Sequence, residues 1–322
     1  MPQVMNVHLT FDIEVWCNGW ANLDHEFATC YPRYVYGHSK HGDYALPKTL
    51  EILNNYGLHG VFFVEPLFSA RFGSNYLNQI VRLIDNADQE VQLHLHPEWS
   101  DEITPPIITN ISRKRPYLNY YSLNDQIALI QHSKDLLENA LGKRVSAFRA
   151  GSYAINEDTF HALAYNGISV DSSINRCYAI SAPELRRQRC SSMPFSVNSV
   201  LTYPVTVFRD GFGRLRPAQL GACSFRELRQ ALESACVAGC SDFVIVSHNF
   251  EMLKPSQSAP DFVVVRRFEQ LCRFLSDNSI QFPVVSFDTV RTDPMQTIPD
   301  GPVTGVLATS LRLFEQVIRR IR

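Results

Sequence analysis

The chain has 322 residues, of which 45% are hydrophobic and 19% charged, with a formal net charge of -2. That length suits one large α/β domain better than two small ones. The balanced charge excludes the basic field of a nucleic-acid binder, and no apolar run is long enough for a transmembrane segment. MPQVMNVHLTFDIEVW turns polar too early for a cleaved leader, so the expected location is cytoplasmic. The eight cysteines form no CxxC pair and read as reduced thiols. Cys236 and Cys240, at helical spacing, read as a small packing face rather than a metal pair.

Strand-like and helix-like runs alternate along the chain. Residues 4–14 predict the first strand. A polar, aromatic loop through Tyr44 follows, then a helix with Pro47 in its first turn that ends before Gly57. Residues 60–65 predict a second strand, 74–86 a helix, and EVQLHLH (90–96) a third strand. A helix over 123–141 places Leu123, Ile127, Ile130, Leu137 and Leu141 on one face, with Ser122 and Asp125 at its start. Strand 145–150, helix 156–166 and strand 168–174 continue the pattern. Residues 175–222 read as an insertion containing YPVTVF (203–208). A helix over 224–238, strand 242–248, helix 261–278 and a short strand 283–287 close the domain. About seven to eight strands with helices between them predict a distorted (β/α) barrel over residues 1–290. In the tail, 291–322, Leu311, Leu313, Phe314, Val317, Ile318 and Ile321 form an amphipathic helix with arginines on the other face. Packing on the domain or a partner is the favoured role, with an anionic membrane surface as the alternative.

The unusual polar residues fall at the C-terminal ends of strands. Asp12 and Glu14 end the first, His94 and His96 the third, Arg149 the fourth and His248 the seventh, with Asp171 late in the fifth. In a β/α barrel these ends gather on one face, where catalytic groups collect. Side chains two residues apart on a strand point the same way, so Asp12 pairs with Glu14 and His94 with His96. Two imidazoles and one carboxylate suit a divalent metal such as zinc, and the other carboxylate then serves as general base. Hydrogen-bonded core histidines explain H-x-H equally well in isolation; the carboxylate pair favours the metal. Glu98, four residues after His94, is the alternative to His96 as ligand. Arg149 and His248 each follow an apolar run, where a buried polar group requires a partner; for Arg149 an ion pair with Asp12 or Glu14 is expected. Tyr31, Tyr34, Tyr36 and Tyr44 read mainly as a packed loop, with stacking on sugar rings as the functional alternative.

At these residues the sequence resembles the polysaccharide deacetylases of the NodB-homology type, carbohydrate esterase family 4, over roughly residues 5–290. TFDIE (10–14) stands where the family has its acidic motif, although Ile13 separates the two acids. QLHLHPEW (92–99) carries two histidines two apart where the family has them four apart. FRAGSY (148–153), VDSSI (170–174) and SHNFEM (247–252) follow in the family's order. The resemblance implies a metal-dependent hydrolase that removes an N-acetyl group from an amino sugar, in surface-glycan biosynthesis. It assigns Asp12 as base and Glu14, His94 and His96 as ligands of a divalent ion, most simply zinc. Arg149 would position the base, His248 would be the general acid and Asp171 would orient it. Tyr153 and Trp99 would contact the sugar. The partner implied is an N-acetylated sugar or glycan intermediate. Two other readings remain: an amidase or imidase acting on a small non-sugar C–N substrate, and a glycan-binding barrel without turnover.

Overall fold

The computed structural model describes residues 3–178, 193–287 and 301–321. Cys190, part of the expected insertion and the first ten residues of the expected tail lie outside them. In chain order, strand β1 (Asn6–Ile13) leads to helix α1 (Leu23–Val35), strands β2 (His38–Ser39) and β3 (Gly42–Asp43), and helix α2 (Leu46–Asn55). Next come β4 (Val61–Val64), α3 (Phe68–Phe72), α4 (Ser74–Asn86), β5 (Glu90–Leu95), α5 (Leu123–Leu141), β6 (Ala147–Ala150), α6 (Glu157–Tyr165) and β7 (Val170–Asp171). Then follow β8 (Phe195–Val197), β9 (Val200–Thr202), β10 (Val207–Arg209), β11 (Leu215–Pro217), α7 (Phe225–Val237), β12 (Asp242–His248), α8 (Phe262–Asp277) and α9 (Val306–Ile321). Among the described residues eight strands belong to one mixed sheet, within the seven to eight expected. The described residues cluster into two compact units, one within 1–60, 207–285 and 299–322 and the other within 61–206 and 286–298.

In the first unit β1 and β12 pair in parallel, in a register running from Asn6↔Asp242 to Asp12↔His248. Both strands are buried along nearly their whole length, as strands of parallel sheets are, so apolar residues occupy both faces. Two buried polar contacts fix the register. His8 Nε2 lies 3.0 Å from Asp242 Oδ1, and Thr10 Oγ1 donates to the Ile245 carbonyl at 2.7 Å. A slip by one residue would break both and turn Asp12 to the opposite face.

Helix α7 opens on a capping box of Ser224 and Glu227, and Asp261 caps α8. Helix α9 packs on this unit. Arg312 is buried and donates to Glu227 and Asp210, while Arg319 donates to Asp261. The buried carboxylates draw the arginine face inward. Removing one partner of such a buried pair costs about 3–5 kcal/mol, and Asp210, Glu227 and Asp261 all depend on this face of the helix, which favours docking by it.

In the second unit β4, β5, β6, β7 and β9 run parallel in that order, and β8 pairs antiparallel with β9. All four residues of β4 are fully buried. Ser122 caps α5, and Gly142 ends it in the left-handed region at φ 71°. Asn156 and Thr159 form the capping box of α6.

Three expectations change. The loop predicted between the first strand and Tyr44 contains α1, whose interior Pro32 disguises it in the sequence. Its Phe27 and Tyr31 pack into the core with ring centroids 5.5 Å apart. The predicted strand 283–287 shows only a single bridge, Val7↔Val284. The described part of the 175–222 insertion forms two short hairpins, β8–β9 and β10–β11.

Candidate active site

The first unit supplies an acid and an imidazole side by side. The β1–β12 register sets Asp12 opposite His248, with Asp12 Oδ2 4.0 Å from His248 Nε2. Asp12 is buried; the His248 side chain keeps 21% of its surface exposed. The other ring nitrogen, Nδ1, donates to Glu251 Oε1 at 3.0 Å. Glu251 is itself held firmly, accepting from Gln219, from Ser247 and from the backbone N–H of Gly221 at 2.6 Å. A side chain on Gly221 would meet that carboxylate, since a Cβ there would lie 2.7 Å from Oε2.

Burial opposes the charged form of His248. The hydrogen bond to Glu251 and the negative charges of Glu14, Glu251 and Asp12 outweigh it, raising the pKa to about 9. The ring is therefore cationic at neutral pH and carries a proton on the nitrogen facing Asp12.

Glu14 lies just beyond the end of β1 and is oriented by two neighbours. Trp16 Nε1 donates to Glu14 Oε2 at 2.7 Å. The Asn249 side chain accepts from the Glu14 N–H and donates to the Glu14 and Tyr34 carbonyls. Asn249 thus ties the turn after β12 to the turn after β1, where the catalytic candidates sit.

The second unit supplies two buried imidazoles in defined tautomers. His94 Nδ1 donates to the Arg149 carbonyl at 2.7 Å, which places the lone pair on Nε2. His96 Nδ1 lies 3.3 Å from Glu98 Oε2, with the same consequence. The two rings sit edge to face with centroids 4.8 Å apart, as expected for H-x-H on one strand face. Gly151 leaves room for His96; a Cβ there would fall 2.5 Å from its ring. Glu98 is thus the acceptor beside His96 Nδ1.

Buried Arg149 donates from Nε to the Ser172 carbonyl at 3.0 Å and from Nη2 to Ser172 Oγ at 2.9 Å, over the Phe63 ring. Asp171 is fully buried and accepts from the Ser173 N–H and hydroxyl. Burial, against those hydrogen bonds and the Arg149 charge, raises its pKa to about 6. The carboxylate that orients His248 is Glu251, the role expected of Asp171. Trp99 also departs from expectation. It is 1% exposed and meets Phe72 edge to face, so it is a packing residue with no face for a sugar. Tyr153 keeps a little exposure and contacts Tyr178, with centroids 4.9 Å apart. Both Ser152 and Tyr153 adopt positive φ, 55° and 56°, a strained backbone of the kind that marks ligand-shaping turns.

Sequence reasoning missed three residues. Glu251 and Asn249 lie in the turn after β12, beyond the apolar run whose end marks His248. Glu65 ends the apolar run VFFVE and fits the rule that found the other strand ends. It is buried and accepts from the N–H groups of Leu67 and Phe68. Burial raises its pKa to about 8, against the opposing charge of His96 and those backbone bonds.

No protein-family model matches the chain, and no curated protein does. Among solved structures, one assigned as a polysaccharide deacetylase from Mycobacterium smegmatis matches with a TM-score of 0.54 at 17% identity, over 91% of this chain and 96% of that one. A family 4 carbohydrate esterase from Streptomyces lividans, in complex with acetate, gives 0.44 at 12% identity, over 92% and 98%. A CE4 family pseudoenzyme from Bacillus anthracis gives 0.42 at 12%, over 97% and 66%. At such identities the likeness speaks for the fold alone. The chain has the α/β fold of the NodB-type polysaccharide deacetylases.

Proposed function

We propose that this chain is a metal-dependent hydrolase that removes an acetyl group from the nitrogen of an amino sugar in a surface-glycan intermediate. The observation that carries the reading is the Asp12–His248 pair, a buried carboxylate facing an imidazole that a second carboxylate holds cationic. Amide hydrolysis needs one group to take a proton from water and another to give one to the departing amine, and this pair has both.

The donor chemistry fits a divalent ion. Glu14, His94 and His96 are buried and each offers one ligand atom of the types zinc prefers. Glu14 is oriented by Trp16, and both histidines are held through Nδ1 by oxygen acceptors, the arrangement typical around metal ligands. When bound there, the ion would supply Lewis acidity toward the amide carbonyl and the attacking water. Asp12 takes the water proton as the attack begins. His248 then gives its Nε2 proton to the amine nitrogen as the C–N bond breaks, and acetate and the free amine leave. Glu251 keeps the ring oriented throughout, and Tyr153 is the candidate for sugar contact.

The test is acetate release from a panel of N-acetylated amino sugars by the full chain, first stripped with a chelator and then given zinc. Release that requires the restored ion is expected. Hydrolysis of small non-sugar amides or imides with none of the sugars would overturn the sugar assignment.

The charge on His248 gives a pH prediction. An acid must be protonated to act, so activity is present below the raised pKa and is lost as pH rises through about 9. Stability from the same ring follows that sign: full below its ordinary value near 6.5, lost as pH rises through about 9. Glu251→Gln removes the hydrogen-bonded charge, so the alkaline limb of the kcat profile should move to lower pH. An unmoved limb would assign it to another group. Comparing the two proteins cancels any influence that a bound ion exerts on both.

A further inference from the structure

Helix α9 docks by its polar side. Arg312 reaches Glu227 and Asp210, Arg319 reaches Asp261, and Thr309 Oγ1 accepts the Gly211 N–H at 2.9 Å. The opposite side carries Val306, Leu307, Leu313, Phe314 and Val317, all exposed, with Leu307 at 67% and Phe314 at 64%. A surface helix ordinarily turns its apolar stripe inward, so a stripe left facing out is a surface that expects an occupant.

The apolar surface continues beyond the helix. The β10–β11 hairpin is joined to the segment before α9 by hydrogen bonds from Arg209 N to Pro302 O and from Thr304 N to Arg209 O, both 2.9 Å. Its turn abuts the start of the helix, where a Cβ on Gly211 would lie 2.4 Å from the Val306 backbone. That hairpin exposes Phe212 and Leu215 together with Arg209 and Arg214. On the other flank of α9, exposed Arg226 and Arg266 line a cleft with Leu311 and Glu315. The carboxylates next to the helix are drawn onto arginines: Asp210 and Glu227 onto Arg312, Asp261 onto Arg319, and Glu315 onto Arg267. What faces outward is an apolar stripe with arginines on both flanks.

We propose that this face docks on an anionic lipid surface. Leu307, Leu313, Phe314 and Val317 would enter the boundary between headgroups and acyl chains. Arg209, Arg214, Arg226 and Arg266 would meet the phosphates. Interfacial helices bind by this combination of buried apolar area and attraction to anionic headgroups. Among the described residues no helix is long and apolar enough to cross a membrane, so the contact lies in the interface plane. A second copy of the chain would cover the same stripe but would set the arginine flanks of two molecules near one another.

The test sediments the full chain with vesicles of phosphatidylglycerol and with vesicles of phosphatidylcholine. Binding to the first, weakened by added salt, and little to the second is expected. The double variant Leu307→Glu, Phe314→Glu changes two exposed side chains. It should keep the wild-type thermal midpoint and lose about tenfold or more of the bound fraction, because each charge enters the apolar boundary. Replacing Arg209 and Arg214 with Gln should weaken binding to the anionic vesicles alone. Absence of binding to phosphatidylglycerol, or binding that the double variant leaves unchanged, would overturn the proposal. So would a dimer in solution that the double variant converts to monomer while vesicles never bind.

Discussion

Asp12→Asn should lower kcat for acetate release by about a hundredfold or more, with metal content and thermal midpoint close to wild type. Asparagine keeps the size of the side chain and its place opposite His248 but cannot take a proton from water. Asp12 sits at the end of a register pinned by the His8–Asp242 contact far along the same strand pair, so the substitution leaves the backbone where it is. The loss should fall on kcat rather than KM, since the proton moves only as the reaction proceeds. Turnover at the wild-type rate, with the ion still bound, would remove Asp12 from the mechanism.

His94→Ala should be more severe, through a different route. The substitution leaves the Arg149 carbonyl without its 2.7 Å donor, a penalty of about 1–3 kcal/mol, which a domain stable by about 5–15 kcal/mol survives. The effect on the ion should be larger. Loss of the groups that merely orient metal ligands costs about 10–100-fold in affinity, so loss of a ligand should exceed that. The variant should fold, be inactive at limiting zinc and recover only in part when zinc is added in excess. Wild-type activity in His94→Ala at limiting zinc would show that the imidazole is a structural core residue.

Much of this site is written in the sequence as interruptions of apolar runs. Parallel strands are apolar on both faces, so a charged residue where such a run ends stands out, as Asp12, His94, His96, Arg149 and His248 do. Glu65 obeys the same rule after VFFV. Glu251 does not, because it lies in the turn after β12, between Phe250 and Met252 and beyond the end of the apolar run. Its importance comes from three donors brought together by folding, Gly221 N–H among them, thirty residues away in the chain. Trp99 shows the reverse error. An aromatic beside the histidines suggests a sugar platform, but only packing against Phe72 reveals that its faces are covered. Helix α9 misleads in a third way, because periodicity gives the stripe but not which side docks. That choice belongs to Asp210, Glu227 and Asp261, whose burial no local pattern announces.

The proposed mechanism requires Glu14, His94 and His96 to hold the same ion. Zinc content of the purified full chain after dialysis, compared among wild type, Glu14→Gln and His94→Ala, tests this most directly. About one ion per chain in wild type and little in either variant is the predicted result. Wild-type zinc content in both variants would contradict it.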